Sequence, residues 1–308
     1  MSLQDLHGKD LLSLADLSAT QLQALIQLVC DLKSGKTNLT CNKVLGLLFY
    51  KASTRTRVSF TVAMYQLGGQ VIDLNPKVTQ VGRGEPIEDT ARVLDRYLDI
   101  LAVRTFAQAD LATFAQYAKI PVINALTDLA HPCQILADLQ TMQEEFGSLS
   151  GLSLTYLGDG NNVAHSLLLG CALAGVNITV ATPPGYEPLP KVVEQAQALA
   201  QNGAQIAVTN DAIAAVKGSN VVYTDVWASM GQEEEADSRI PRFEPYQANA
   251  TLMAHADPKA IVLHCLPAHR GEEITAEVME GSQARIWDQA ENRMHAQKAL
   301  MAVLLGLR

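Results

Sequence analysis

Short apolar runs of strand type alternate with helical patterns along almost the whole chain, and this alternation constrains the fold more than any other feature. The runs Val44 to Phe49, Gln70 to Leu74, Ile100 to Arg104 and Val122 to Asn124 read as strands. Helices are expected over Thr54 to Leu67, Glu88 to Leu98 and Ala109 to Ala118, with an earlier surface helix over Ser18 to Leu32 that Ser18 and Gln21 would cap. A strand that keeps returning through a helix builds a parallel sheet covered on both faces.

A second series repeats the pattern. Strands are expected over Ser153 to Leu157, Asn177 to Thr182, Gln205 to Val208, Val221 to Asp225 and Ala260 to His264. Helices over Asn162 to Ala174, Leu189 to Gln201 and Asp211 to Lys217 separate the first four of them. With 308 residues the chain exceeds the usual range of one core, so two domains follow. The expected fold is α/β: two similar domains, each a parallel sheet flanked by helices, joined by interdomain helices. A long helix from His131 to Phe146 leads to the glycines at Gly147 and Gly151, which places the first domain over residues 1–147 and the second over 148–290. A final helix, over about 291–308, is expected to pack back on the first domain.

Composition narrows the function classes. The chain is 48% hydrophobic and 18% charged, which suits a globular protein rather than a disordered one. Its net charge of -9 argues against broad nucleic-acid binding, which needs a basic surface. Five cysteines without a CxxC pair disfavour both a disulfide framework and a cysteine zinc site. The start carries acids among its apolar residues, so neither a signal nor a transit peptide is expected, and no run approaches transmembrane length. A reducing cytoplasm is the expected setting.

In open α/β sheets, ligands bind beyond the carboxyl ends of strands, where helix N-termini present N–H groups. Motifs at strand ends therefore carry the most weight. Ser53-Thr54-Arg55-Thr56-Arg57 follows the first strand and opens the next helix. It reads either as a helix cap with two solvated arginines or as an anion site, where hydroxyls, helix dipole and guanidinium converge on a phosphate. Ser34-Gly35-Lys36-Thr37 imitates the end of a nucleotide loop, but Cys30 stands where the first glycine belongs, and it reads as a turn. Gly158-Asp159-Gly160-Asn161-Asn162 invites a dinucleotide reading, yet Val163 occupies the third glycine position and no acid ends the next strand. His131 reads either as a structural histidine or as a ligand. His264-Cys265 with His269 lacks a partner set at zinc spacing, so no metal is expected.

These motifs together resemble the aspartate and ornithine transcarbamoylase family, and within it the ornithine branch. The resemblance runs nearly end to end, through Ser53 to Phe60, Gly82-Arg83-Gly84-Glu85, Asp89 to Leu94, His131-Pro132-Cys133-Gln134, Asp159 to Asn162, Asp225-Val226-Trp227, Ser229-Met230-Gly231 and His264 to Gly271. It implies transfer of a carbamoyl group from carbamoyl phosphate to the δ-amine of L-ornithine, giving L-citrulline and phosphate, with no cofactor. Ser53, Thr54, Arg55, Thr56 and Gln80 would hold the phosphate. Arg104, His131 and Gln134 would bind the carbamoyl end, with Arg293 reaching the same pocket. Asn162, Asp225, Ser229 and Met230 would hold ornithine. Cys265 and Leu266 would line the carbamoyl phosphate pocket beside the reacting amine, and Arg104, His131, Asp225 and Cys265 form the implied catalytic set. A homotrimer or a multiple of one is implied. Three readings compete with this one: a carbamoyltransferase for another amine such as N-acetylornithine or putrescine, a binding subunit without turnover, and a nicotinamide dehydrogenase.

Overall fold

The computed structural model describes residues 2–228 and 236–307. Contacts divide it into two units, Met1–Gln140 with Asn292–Arg308, and Thr141–Glu291. The division falls inside helix Pro132–Phe146, ahead of the glycines that follow that helix.

The first unit holds α1 (Ala19–Lys33), β1 (Val44–Phe49), α2 (Thr54–Gln66), β2 (Gln70–Leu74), α3 (Ile87–Leu94), β3 (Ile100–Arg104), α4 (Gln108–Tyr117), β4 (Val122–Leu126) and the start of α5 (Pro132–Phe146). Its four strands run parallel in the order β2-β1-β3-β4. Apolar residues on both faces explain why β1 and β3 are central: Leu45, Leu47, Leu48, Leu101 and Val103 are wholly buried. At the edge, β2 leaves Gln70, Ile72 and Asp73 exposed. Helix α1 opens with the expected reciprocal cap, in which Ser18 Oγ accepts from Gln21 N–H while Gln21 Oε1 accepts from Ser18 N–H. The C-terminal stretch belongs to this unit, where Gly8 N–H donates to the Leu304 carbonyl and Lys33 Nζ to Asn292 Oδ1.

The second unit holds β5 (Ser153–Leu157), α6 (Asn162–Ala174), β6 (Asn177–Ala181), α7 (Pro190–Leu199), β7 (Ile206–Thr209), α8 (Ala212–Val216), β8 (Val221–Thr224), α9 (Ala236–Phe243), α10 (Ala250–Met253), β9 (Ile261–His264), α11 (Ala276–Met279) and the start of α12 (Ile286–Leu304). Five parallel strands follow the order β7-β6-β5-β8-β9. Every residue of α6 from Val163 to Leu173 is buried, as a helix apolar on all sides requires.

Both sheets reverse direction next to their first strand. In the first, the chain leaves β1 for β2 on one side and returns to β3 on the other. In the second, it runs from β5 through β6 to β7 and returns to β8. Loops leaving the two strands at such a reversal diverge to opposite faces and open a crevice at the carboxyl edge. The β1/β3 pairing ends with Phe49 opposite Arg104, and the β5/β8 pairing with Leu157 opposite Thr224. The two crevices therefore begin at Tyr50 and Gly158.

Most expected elements agree within one or two residues. Helix α3 is the clear difference, since it ends at Leu94 rather than Leu98: the Asp95 carboxylate accepts from Lys119 and Ile120 N–H, which draws the chain out of helix, and Tyr97 is exposed. Helix α12 begins at Ile286, before the expected start near Glu291. The short helices α9, α10 and α11 have too few turns to show a period.

Close approach of backbones fixes one glycine. A Cβ on Gly69 would stand 2.7 Å from the Lys43 carbonyl and 2.9 Å from Met64 Sδ, at the point where α2 hands over to β2. Gly69→Ala is expected to destabilise by roughly 1–3 kcal/mol, as overpacked sites do. Thermal unfolding checks this, and an unchanged midpoint would show that the β1 and β2 ends part at no cost.

Candidate active site

The first cluster forms at the β1/β3 reversal. Ser53 precedes α2 with extended backbone, φ -160°, yet its hydroxyl makes no capping bond. Instead Ser53 Oγ accepts from Arg104 Nη1 at 3.0 Å. One turn into α2, buried Thr56 Oγ1 accepts from Arg293 Nη2 at 2.7 Å. Both guanidinium groups are buried, with Arg104 5% and Arg293 3% exposed. Two permanent positive charges are thus tied to the first turn of a helix whose own N–H groups point the same way.

His131 and Gln134 enter from the start of α5 and are also buried. Burial, reinforced by the charges of Arg293 and Arg104, holds the His131 imidazole well below its usual pKa, so it is neutral at pH 7. Gln134 Nε2 donates to Asp138 Oδ1 at 2.9 Å, and its Oε1 is buried with no hydrogen-bond partner among the described residues. The intervening Cys133 is inert, because burial pushes its thiol up to about 12. The two arginines of the 53–57 motif part company. Arg55 is exposed on the first turn of α2, whereas Arg57 pairs with Asp73 and lies over the Phe49 ring.

A second cluster forms at the β5/β8 reversal and is acidic. Asn161 caps α6, its Oδ1 accepting from Val163 N–H at 2.9 Å and Ala164 N–H at 3.2 Å. Its amide then donates from Nδ2 to Asp225 Oδ2 at 2.9 Å. Asp225, 5% exposed at the end of β8, accepts with its other oxygen from Cys265 Sγ at 2.9 Å. Beneath them, burial and the charges of Asp225 and Asp159 raise the Tyr156 phenol well above its usual range, keeping it neutral. Asn162 lies at the first position of α6, half-buried.

The β9 end supports this cluster. Leu266 N–H donates to His264 Nδ1 at 2.8 Å, so the ring proton sits on Nε2 and faces Glu273 Oε1 at 3.0 Å. Asp225, His264 and Cys265 offer ligand atoms within 4.8 Å of one another. Both His264 nitrogens are already engaged, however, which disfavours metal binding there.

In the first unit, then, Ser53, Thr56, Arg104, His131 and Arg293 come together. Thr54, Arg55 and Gln80 are exposed and take no part in the hydrogen bonds that tie that cluster. In the second unit Asp225 and Cys265 meet, with Leu266 adjacent. Ser229 and Met230 lie outside the described residues. The sequence reading did not assign roles to Asn161, Tyr156, Asp159, Arg239 or Glu273. Asp159 and Asn161 carried a signal, since both lie in the stretch Gly158 to Asn162 between a strand and a helix.

His131 yields a pH test. Its native pKa lies below the unfolded value near 6.5, so between those two values the unfolded chain binds a proton that the native state does not. Stability contributed by the neutral ring is present above 6.5 and declines as pH falls, by at most about 1.4 kcal/mol per pH unit. His131→Gln should therefore gain thermal stability relative to wild type on going from pH 7 to pH 5. A difference that does not vary with pH would contradict the assignment.

Comparisons with known proteins agree with this geometry. Residues 9–144 match the family model described as aspartate/ornithine carbamoyltransferase, carbamoyl-P binding domain, and residues 150–304 match that of the Asp/Orn binding domain. An ornithine carbamoyltransferase of Nostoc sp. is 72% identical over 98% of each chain, and one of Synechocystis sp. is 69% identical over 100% of each. Among solved structures, the ornithine carbamoyltransferase of Gloeobacter violaceus aligns with TM-score 0.89 at 58% identity, covering 96% of this chain and 98% of that one. The Pyrococcus furiosus enzyme aligns with TM-score 0.93 at 48% identity, covering 98% of each. With matching family models on both sheets and full-length relatives well above half identity, the chain belongs to the aspartate/ornithine carbamoyltransferase family.

Proposed function

We propose that the chain transfers the carbamoyl group of carbamoyl phosphate to the δ-amine of L-ornithine, producing L-citrulline and phosphate. The observation that carries the phosphate half is the pair of buried guanidinium groups, Arg104 and Arg293, tied through Ser53 and Thr56 to the first turn of α2. Such an array stabilises an anion and the charge that grows on it as a bond to phosphorus-bound oxygen breaks. Ser53, Thr54, Arg55, Thr56 and Gln80 hold the phosphate, and Arg104, His131, Gln134 and Arg293 bind the carbamoyl oxygen and nitrogen. A neutral His131 donates to the carbamoyl oxygen without first giving up a proton.

The second unit receives ornithine. Asp225, oriented by Asn161, pairs with the α-ammonium group, assisted by Asn162, Ser229 and Met230. Cys265 and Leu266 lie beside the δ-nitrogen and the carbamoyl group. The neutral δ-nitrogen attacks the carbamoyl carbon, a tetrahedral intermediate forms, and the carbon–oxygen bond to phosphate breaks with its electron pair leaving on phosphate. The nitrogen sheds one proton, for which the departing phosphate is an acceptor. No hydride or electron moves, so the step calls for no cofactor.

A buried carboxylate favours a charged α-ammonium over the amide of N-acetylornithine, which separates the first rival amine from ornithine. Val58 and Tyr65, seven residues apart on α2, are 54% and 58% exposed, and Ile72 of β2 is 45% exposed. A face of this kind suits contact with a second copy, which supports a homotrimer or a multiple of one. No described helix is long and apolar enough to cross a membrane. A cytoplasmic place in arginine biosynthesis completes the proposal.

Formation of ureido product from carbamoyl phosphate, measured in parallel with L-ornithine, N-acetylornithine, putrescine and L-aspartate, tests the function directly. Product with L-ornithine alone is expected, and product with another amine alone would replace the ornithine half. The two halves are separable by a crossed pair of variants. Arg55→Ala should raise KM for carbamoyl phosphate by about tenfold or more, the size of a lost charged contact, with little change for ornithine. Asp225→Asn should do the reverse, and equal effects on both substrates would sink the division of roles.

A further inference from the structure

The β5/β8 crevice is clamped from one side by a buried arginine that the reaction as described above does not use. Arg239, on α9, is 5% exposed. Its Nη1 donates to Asp159 Oδ2 at 2.9 Å and to the Trp227 carbonyl at 2.9 Å. Its guanidinium lies 5.1 Å from the centre of the Tyr186 ring. Phe243, wholly buried one turn further along α9, packs edge-on against Tyr186 and beside Trp227.

These contacts join three loops at the carboxyl edge of one sheet. Asp159 belongs to the loop after β5, Tyr186 to the loop after β6, and Trp227 to the segment after β8. Asp159 is two residues before Asn161, whose amide orients Asp225, and Trp227 is two residues after Asp225. The chain before and after the Asp225 contact is thus held by one cation. The β6 loop is fixed as well, for Gly160 N–H donates to the Tyr186 carbonyl at 2.8 Å and leaves no room for a side chain. Arginine suits this place because one planar group donates to a carboxylate and a carbonyl while presenting a face to an aromatic ring.

We propose that Arg239 is a positioning residue for the amine substrate: it holds the loops that carry Asn161 and Asp225, and so sets where the Asp225 carboxylate stands. The assignment rests on the reading that Asp225 receives the ornithine α-amine. Arg239 itself touches no reacting atom. Its removal takes one ion pair from Asp159 and one donor from the Trp227 carbonyl, and the Asn161–Asp225–Cys265 chain loosens.

Cys265 reports on that chain without any substrate. Its thiol donates to Asp225 at 2.9 Å, so displacement of Asp225 releases the sulfur from that contact and speeds alkylation. Iodoacetamide labelling of the whole enzyme, resolved by peptide mass, is compared in wild type, Arg239→Gln and Arg239→Lys. Arg239→Gln is expected to label Cys265 about fivefold faster, with Cys30 and Cys41 unchanged, because only the hydrogen bonding and access at one site change. In kinetics KM for ornithine should rise about tenfold, a change of about 1.4 kcal/mol, while KM for carbamoyl phosphate stays within about twofold. Arg239→Lys, which keeps charge but not the planar face, should shift both readouts less and in the same direction, and it serves where the glutamine variant does not fold. Cys265 labelling within about twofold of wild type, or an equal rise at all three cysteines, would overturn the proposal, since loss of general stability exposes every thiol alike. The labelling result stands even where wild type shows no turnover with ornithine, an outcome that would strike the substrate reading instead.

Discussion

A guanidinium group keeps its charge at every pH a folded protein survives, so an arginine placed in the interior dictates its surroundings. Arg104 and Arg293 in the first unit and Arg239 in the second are all at most 5% exposed. Each bends its neighbourhood to supply acceptors. Ser53 gives its hydroxyl to Arg104 rather than to the end of α2, and Thr56 turns toward Arg293. His131, flanked by both cations, is neutral because a third positive charge in that volume would be repelled as well as desolvated. The protonation state of the imidazole is therefore set first by its burial and then by where the two arginines stand.

Parallel-sheet geometry decides why these groups meet at all. A strand leaves its sheet with its last side chain at the carboxyl edge, and only at a reversal of strand order do two neighbouring loops separate widely enough to admit a ligand. Arg104 is the last residue of β3 and Ser53 lies four residues beyond β1, across that reversal. Asp225 follows β8 directly, and Asn161 lies four residues beyond β5. The same construction thus occurs twice, with cations in one sheet and carboxylates in the other. The Cβ-free positions serve it too, since Gly160 lets the loop after β5 lie flat against 186–188.

Much of this was legible in the sequence, for physical reasons. Continuous apolar runs mark strands buried on both faces, so β1, β3 and β5 were placed at both observed ends, and the edge strand β2 was too. Residues at or just beyond strand ends were readable as site candidates, because the edge is where ligands bind; Ser53 and Asp225 fall there, while Arg104, the last residue of β3, was picked out by the family resemblance. Arg55 and Arg57 show the limit. They look alike in the motif, yet only folding brings Asp73 against Arg57 and leaves Arg55 exposed. Arg239 was illegible for the same reason, since its partners Asp159, Tyr186 and Trp227 are 80, 53 and 12 positions away and the pattern of α9 is too short to mark a buried face.

The opposite signs of the two clusters bear on how the proposed reaction is controlled. In the proposed reaction the cations of the first unit, Arg104 and Arg293, would attract a phosphate ester and the Asp225 carboxylate of the second would attract an α-ammonium group. The acidic cluster also bears on the nucleophile. Neutral Tyr156 beneath Asp225 adds no competing charge to the cluster proposed to receive the ornithine ammonium. Arg239, near that cluster, donates to Asp159 and the Trp227 carbonyl, while Asp225 accepts from Asn161 and Cys265, an arrangement that suits the proposed role of that carboxylate.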